Sequence, residues 1–202
     1  MCLFPTKIPR LLSGYRYLYH SSSLHLLRGI FIKEQESKSH NPFKEVQTIP
    51  HFNLRVYGIL VNDAKQVLVS DEYIRGNYYT KFPGGGLEFG EGTRDCLKRE
   101  FLEEMNLNVV VGEHIYTTDF FQMSAFNPEH QIISIYYFAH ALEAITVPLR
   151  TTPFDFDETQ LKIYNKIQQT ETFRFIDWKD FTAESVTLPI DKIVASLLRE
   201  KF

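Results

Sequence analysis

Glu100, Glu103 and Glu104 fall at i, i+3 and i+4 of a stretch with helical patterning, so on a helix their carboxylates emerge close together on one face. Three anions so placed repel one another, and nothing in helix propensity asks for them. A hard divalent cation takes oxygen ligands and offsets that crowding, and it also accepts phosphate oxygens from a ligand. The spacing therefore points to a carboxylate-held Mg2+, with Mn2+ as the alternative ion. Such an ion is how an acidic site can hold an acidic ligand, which carboxylates alone would repel.

The helix that would carry these acids is readable from its own residues. Thr93 is placed as an N-cap, and Asp95 puts a negative charge in the first turn, where it suits the helix dipole. Leu97, Phe101 and Met105 recur every four residues as an apolar stripe that can face a core, and the helix is expected to end near Met105. Just before it, Phe82-Pro83-Gly84-Gly85-Gly86 reads as a strand end breaking into a tight turn, because glycine tolerates positive φ and close backbone approach.

Together Gly85, Glu91, Arg99, Glu100, Phe101, Glu103, Glu104 and Leu107 hold the spacing G-x5-E-x7-R-E-U-x-E-E-x-G-U, where U is a bulky apolar residue. The stretch resembles the Nudix box. Its one departure is Asn106, where the family has glycine. Asparagine is the next-best residue for a left-handed helix C-cap, so the turn is expected to survive.

The resemblance implies an α/β fold, a Nudix-type α/β/α sandwich with a mixed central sheet. It implies a metal-dependent hydrolase that cleaves the pyrophosphate bond of a nucleoside diphosphate linked to another moiety, such as a nucleotide sugar or a nucleoside triphosphate. Carried over residue by residue, Glu100, Glu103 and Glu104 are the metal ligands, and Glu91, Arg99, Glu100 and Glu103 form the catalytic set. One of these glutamates or a neighbouring loop acid takes the proton of the attacking water. Arg99 offers a planar fork of donors that suits pairing with Glu91 or Glu103, a supporting role. Gly84, Gly85 and Gly86 let the backbone approach phosphate oxygens, and Glu88 lies in the same loop within reach of the metal.

Two competing readings remain for the same residues. The acid helix could be a solvent-facing surface with ordinary i, i+4 pairs. The domain could also be a catalytically silent nucleotide sensor or a protein-interaction module; the intact acid triplet argues against silence.

The chain has 202 residues, 44% hydrophobic and 23% charged, enough for one domain with a substantial core. No apolar run approaches a membrane span, and a net charge of -3 offers no general attraction to nucleic acid polymers or membranes. The expected partner is thus a small nucleotide-like diphosphate, with a homodimer as the assembly that the resemblance suggests. Cys2 and Cys96 are the only cysteines, which fits a reducing, cytoplasmic setting. Residues 1–46 differ in composition: Lys7, Arg10, Arg16, Arg28 and Lys33 all precede the first acid, Glu34. That composition suits an organelle-targeting segment, a disordered tail or an over-extended start. The polar stretch from Glu34 to Pro50 reads as a linker, and the hydrolase domain is expected over 47–202.

Elsewhere, Phe52 to Val61 and Gln66 to Ser70 flank the turn pair Asn62-Asp63 and read as a hairpin. Asn108 to Tyr116 reads as a strand, and Gln131 to Ala141 as a central one because it is uniformly apolar. Phe173 to Trp178 is a shorter strand, and Pro189 to Lys201 an amphipathic helix.

For the substrate, Arg55 is a candidate phosphate or ribose contact, as is Arg75. Phe82, Tyr78, Tyr79, Phe120, Phe121 and Phe126 could stack on a base or fill a core, and His130 is ambiguous. Asn127 to Gln131 and the acidic insert Phe154 to Thr159 are candidate specificity loops, the insert as a lid. Downstream of the box, Met123, Ser124 and Ala125 occupy the window where some Nudix subgroups carry a signature proline or tyrosine, so neither subgroup is indicated.

Overall fold

A computed structural model describes residues 51–201; the extension over 1–46 and the polar stretch 34–50 lie outside the described residues. The chain runs through β1 (His51–Leu60), β2 (Gln66–Ile74), β3 (Asn77–Lys81), β4 (Gly84–Gly86), α1 (Thr93–Met105) and β5 (Val109–Thr117). It continues through β6 (His130–Ala141), β7 (Leu149–Arg150), α2 (Glu158–Ile167), β8 (Gln169–Asp177) and α3 (Pro189–Lys201). The strands form two four-stranded mixed sheets, ordered β4-β1-β6-β5 and β3-β2-β8-β7. Among the described residues, no helix is long and apolar enough to cross a membrane.

Strand periodicity explains how helices cover both faces. Successive strand residues point to opposite sides. In β1, Val56 and Leu60 join the core that holds the α1 stripe of Leu97, Phe101 and Met105, while Tyr57 and Ile59 join the core with Ile190, Val194 and Leu198 of α3. In β6, Tyr137 and Ala139 face the first core and Tyr136 the second. This is the expected α/β sandwich. β6 lies between β1 and β5 in its sheet, as its apolar run predicts.

The expected hairpin of the first two strands does not form. β1 pairs in parallel with β6 along its whole length and with β4 at Arg55–Tyr57, while β2 pairs with β3 and β8. With those edges taken, the two strands belong to different sheets and meet at a single bridge, Val61 to Val67. The turn beyond β1 does form: the Asn62 side chain accepts the Gln66 N–H at 2.9 Å.

The box helix differs at its start and agrees at its end. Gly92 is the N-cap, without a side-chain cap, and Thr93 is the first helical residue, its hydroxyl 2.9 Å from that of Tyr137. Asn106 adopts φ 48, ψ 43, and its N–H donates to the Leu102 carbonyl at 2.9 Å, so asparagine supplies the left-handed cap.

The insert after β7 is helical from Glu158. Asp157 and Gln160 form a capping box, and Arg150 binds Asp157 at 2.7 Å. The Tyr164 ring stacks 3.9 Å from that of Tyr73, and Phe154 packs 4.9 Å from Tyr78, so the insert lies against the β2–β3 hairpin.

Candidate active site

Arg99 organises the box. Its Nε and Nη2 donate to the two oxygens of Glu91 at 3.1 and 2.8 Å, and Nη2 also donates to the Gly86 carbonyl at 2.9 Å. Its Nη1 donates to Glu100 at 2.9 Å and to Glu103 at 3.1 Å. One guanidinium thus fastens the loop, the strand β4 and the helix face. The Arg99 hydrogen bonds, with the Glu88 N–H at 2.8 Å, hold the Glu91 carboxyl down to about 2.

The glycines form an edge strand against β1, and at Gly84 and Gly85 the need for glycine is steric. Gly84 has φ +133, and a Cβ there would stand 2.2 Å from the Val56 carbonyl oxygen. A Cβ on Gly85 would stand 2.4 Å from the Glu100 carboxyl carbon. A side chain on Gly85 would therefore evict that carboxylate.

Glu100 and Glu104 open into a cavity of about 420 Å³, bordered also by Gly85, Gly86, Arg55 and Lys81. Glu100 is 9% exposed, and Glu104 leaves its Oε2 buried with no hydrogen-bond partner among the described residues. Burial pushes the Glu104 carboxyl up to about 8, against the pull of the Lys81 ammonium. Glu103 does not line the cavity; Arg99 holds it on the outer side of the helix, with 60% of its side chain exposed. Glu88 is exposed in the loop.

Arg55 does reach the cavity, with its Nε donating to the Tyr57 hydroxyl at 2.7 Å, and Arg75, Tyr79 and Phe126 also line it. Phe82 does not. It is fully buried between Tyr136 and Phe181, at centroid distances of 6.2 Å to each, so it is a core residue rather than a substrate contact. Neither 127–131 nor 154–159 contributes to the lining; residues 122–126, just before the first of these stretches, do.

Among the charged lining residues that sequence reading missed are Glu72 and Lys81. They form an ion pair at 2.9 Å, both nearly buried, and Lys81 also donates to the Gly84 carbonyl at 2.9 Å. The β2–β3 register places Glu72 opposite Tyr79, so Lys81 is its diagonal neighbour on the same face. Polar side chains on a strand otherwise built for burial were the available signal.

Among the described residues no three His, Cys, Asp or Glu side chains stand together as a metal-holding group. The donor chemistry nevertheless suits a hard cation: two carboxylates share one wall, one of them with a free buried oxygen. Mg2+ is commonly held by one or two carboxylates, completed by water and substrate phosphate.

A family model described as the NUDIX domain matches residues 51–184, and the chain belongs to this family. Its fold is similar to that of a NUDIX hydrolase from Nitrosomonas europaea, with 16% identity and a TM-score of 0.53 over 74% of this chain and 89% of that one. It is also similar to the MutT protein from Methanosarcina mazei Go1, with 13% identity and a TM-score of 0.53 over 78% of this chain and 99% of that one. The solution structure of the E. coli ORF135 protein matches 46% of this chain at 21% identity and a TM-score of 0.38, and the chain spans 62% of it. At these identities the likeness is one of fold. A search of curated proteins gives no match.

Proposed function

We propose that this Nudix protein is a Mg2+-dependent pyrophosphohydrolase that cleaves the diphosphate bond of a small nucleoside-diphosphate compound. The observation that carries the reading is the cavity end where Glu100 and Glu104 stand beside Arg55 and Lys81. Opposite charges side by side suit a bound cation and a phosphate chain at once. Family membership supports the hydrolase class.

Glu100 and Glu104 would hold the cation, which when bound neutralises phosphate charge and polarises the phosphorus. Arg55 orients a phosphate or ribose oxygen. Glu104 Oε2, buried and free of partners among the described residues, takes the proton of the attacking water. Arg99 touches none of the reacting atoms; it keeps Glu100 and the Glu91 loop in place.

The test is incubation with nucleoside triphosphates, nucleotide sugars, ADP-ribose, NADH and dinucleoside polyphosphates, in Mg2+ or in EDTA, with products separated. Metal-dependent cleavage of one class is expected. Thermal stabilisation by a nucleotide with no turnover of any compound would make the domain a sensor instead.

A further inference from the structure

Lys81, the last residue of β3, keeps its ammonium almost wholly out of solvent, with 4% of the residue exposed. Lysine is seldom buried unless paired, and this one has two oxygen partners. They are a carboxylate oxygen of Glu72 and the main-chain carbonyl of Gly84, each 2.9 Å from Nζ. These are the kinds of oxygen that hard divalent cations take as ligands.

One carboxylate would suffice to pair a buried lysine, yet Lys81 lies among more acid than it can neutralise. The β2–β8 register sets Glu72 opposite Glu171, which accepts the Ser70 hydroxyl at 3.2 Å. Glu100 and Glu104 approach from α1, and Asp191 from the first turn of α3 lines the same cavity. Burial opposes the charge on Lys81, but Glu72 and Glu104 hold its ammonium above the ordinary value. Burial pushes Glu104 to about 8 and Glu171 and Asp191 to about 7, each against the pull of that one ammonium. Lys81 is therefore the shared counter-charge of the whole group, with Arg55 as the other cation beside it.

We propose that the Lys81 ammonium is a built-in cation standing in for a second divalent ion, one that Glu72 and the Gly84 carbonyl would otherwise hold, and that it limits the site to a single exchangeable ion. The inference rests on the functional reading above for that single ion on Glu100 and Glu104. It makes Lys81 a positioning residue that acts through the carboxylates. Its removal leaves Glu72 buried without a counter-charge, which is strongly destabilising. An exchangeable ion can then supply the missing charge.

The test is calorimetric titration of the full-length protein with MnCl2 alone at pH 8. Wild type is compared with Lys81→Met and with Lys81→Met combined with Glu72→Gln, and melting curves are taken in EDTA and in Mn2+. Wild type should bind one Mn2+ per chain and Lys81→Met one more. Lys81→Met should melt several degrees below wild type in EDTA and gain more than wild type from Mn2+, because an ion bound only by the folded state stabilises it. Adding Glu72→Gln should return the count to that of wild type. An unchanged or lower count in Lys81→Met, an extra ion that survives Glu72→Gln, two ions in wild type, or a Lys81→Met chain that does not fold even in Mn2+ overturns the inference. The two readings fail separately. One ion in both wild type and Lys81→Met sinks only the Lys81 role, whereas none in wild type and one in Lys81→Met sinks only the metal site on Glu100 and Glu104.

Discussion

Arg99 grips Glu91 in a fork, Nε to Oε2 at 3.1 Å and Nη2 to Oε1 at 2.8 Å, which ties the loop ahead of α1 to the middle of that helix. Lysine cannot reproduce a planar fork. Arg99→Lys is expected to lower the melting temperature by several degrees and turnover by about tenfold, since the loop and Glu100 lose their common anchor. Unchanged melting and unchanged rate would show that the fork supports neither.

Gly85 makes room for the carboxylate it faces. Because a Cβ there would lie 2.4 Å from Glu100 atoms, Gly85→Ala must displace either β4 or the Glu100 side chain. Displacement of about 1 Å at a reacting group costs on the order of a hundredfold in rate. Steady-state kinetics should show that loss in kcat, and a variant with wild-type kcat would mean Glu100 does not need its observed position.

Thermal stability in EDTA should have a defined pH dependence. Burial raises Glu104 to about 8, and Glu171 and Asp191 to about 7, from ordinary values of 4.5, 4.5 and 3.8. Each folded-state value lies above the unfolded one, so the stability these groups contribute is complete below about pH 4 and drains as pH rises through 7 to 8. Glu91 works the other way: held at about 2, it contributes above pH 4.5 and is lost as the pH falls toward 2. Melting temperature should therefore fall from pH 5 to pH 8.5, with a shallower slope in Asp191→Asn. A rise over that range would contradict the burial of these three acids.

Phe101, fully buried in the core between α1 and the sheets, anchors the box helix. Phe101→Ala should cost about 3–5 kcal/mol in chemical denaturation, the usual range for truncating a buried phenylalanine. A loss below about 1 kcal/mol would indicate that the helix docks by other contacts.

Local patterns carried most of what was legible in the chain. The α1 stripe, the Asn106 cap and the apolar run of β6 each follow from residues within one element, and each is found where its pattern places it. The β1–β2 hairpin failed because Asn62-Asp63 specifies a turn but says nothing about which edge the strands take; β1 pairs with residues 130–139, far along the chain. α2 went unread although Asp157 and Gln160 carry capping-box spacing; its apolar residues Leu161, Ile163 and Ile167 stay exposed and join neither core. The box residues gather around Arg99, yet their division was not visible in the sequence: Glu100 and Glu104 face the cavity, and Glu103 faces out. Lys81, Glu72 and Asp191 escaped notice because cross-strand and cross-helix packing, rather than spacing in sequence, brings them to the cavity.

That division supports the most direct measurement. With the best substrate from the diphosphate panel, Mg2+-dependent kcat is compared for wild type, Glu100→Gln, Glu104→Gln and Glu103→Gln, each shown by melting to be folded. Loss of roughly a thousandfold or more is expected for Glu100→Gln and Glu104→Gln, with at most about tenfold for Glu103→Gln, because only the first two border the cavity. Full rate in Glu100→Gln or Glu104→Gln would contradict a metal-dependent site on this wall.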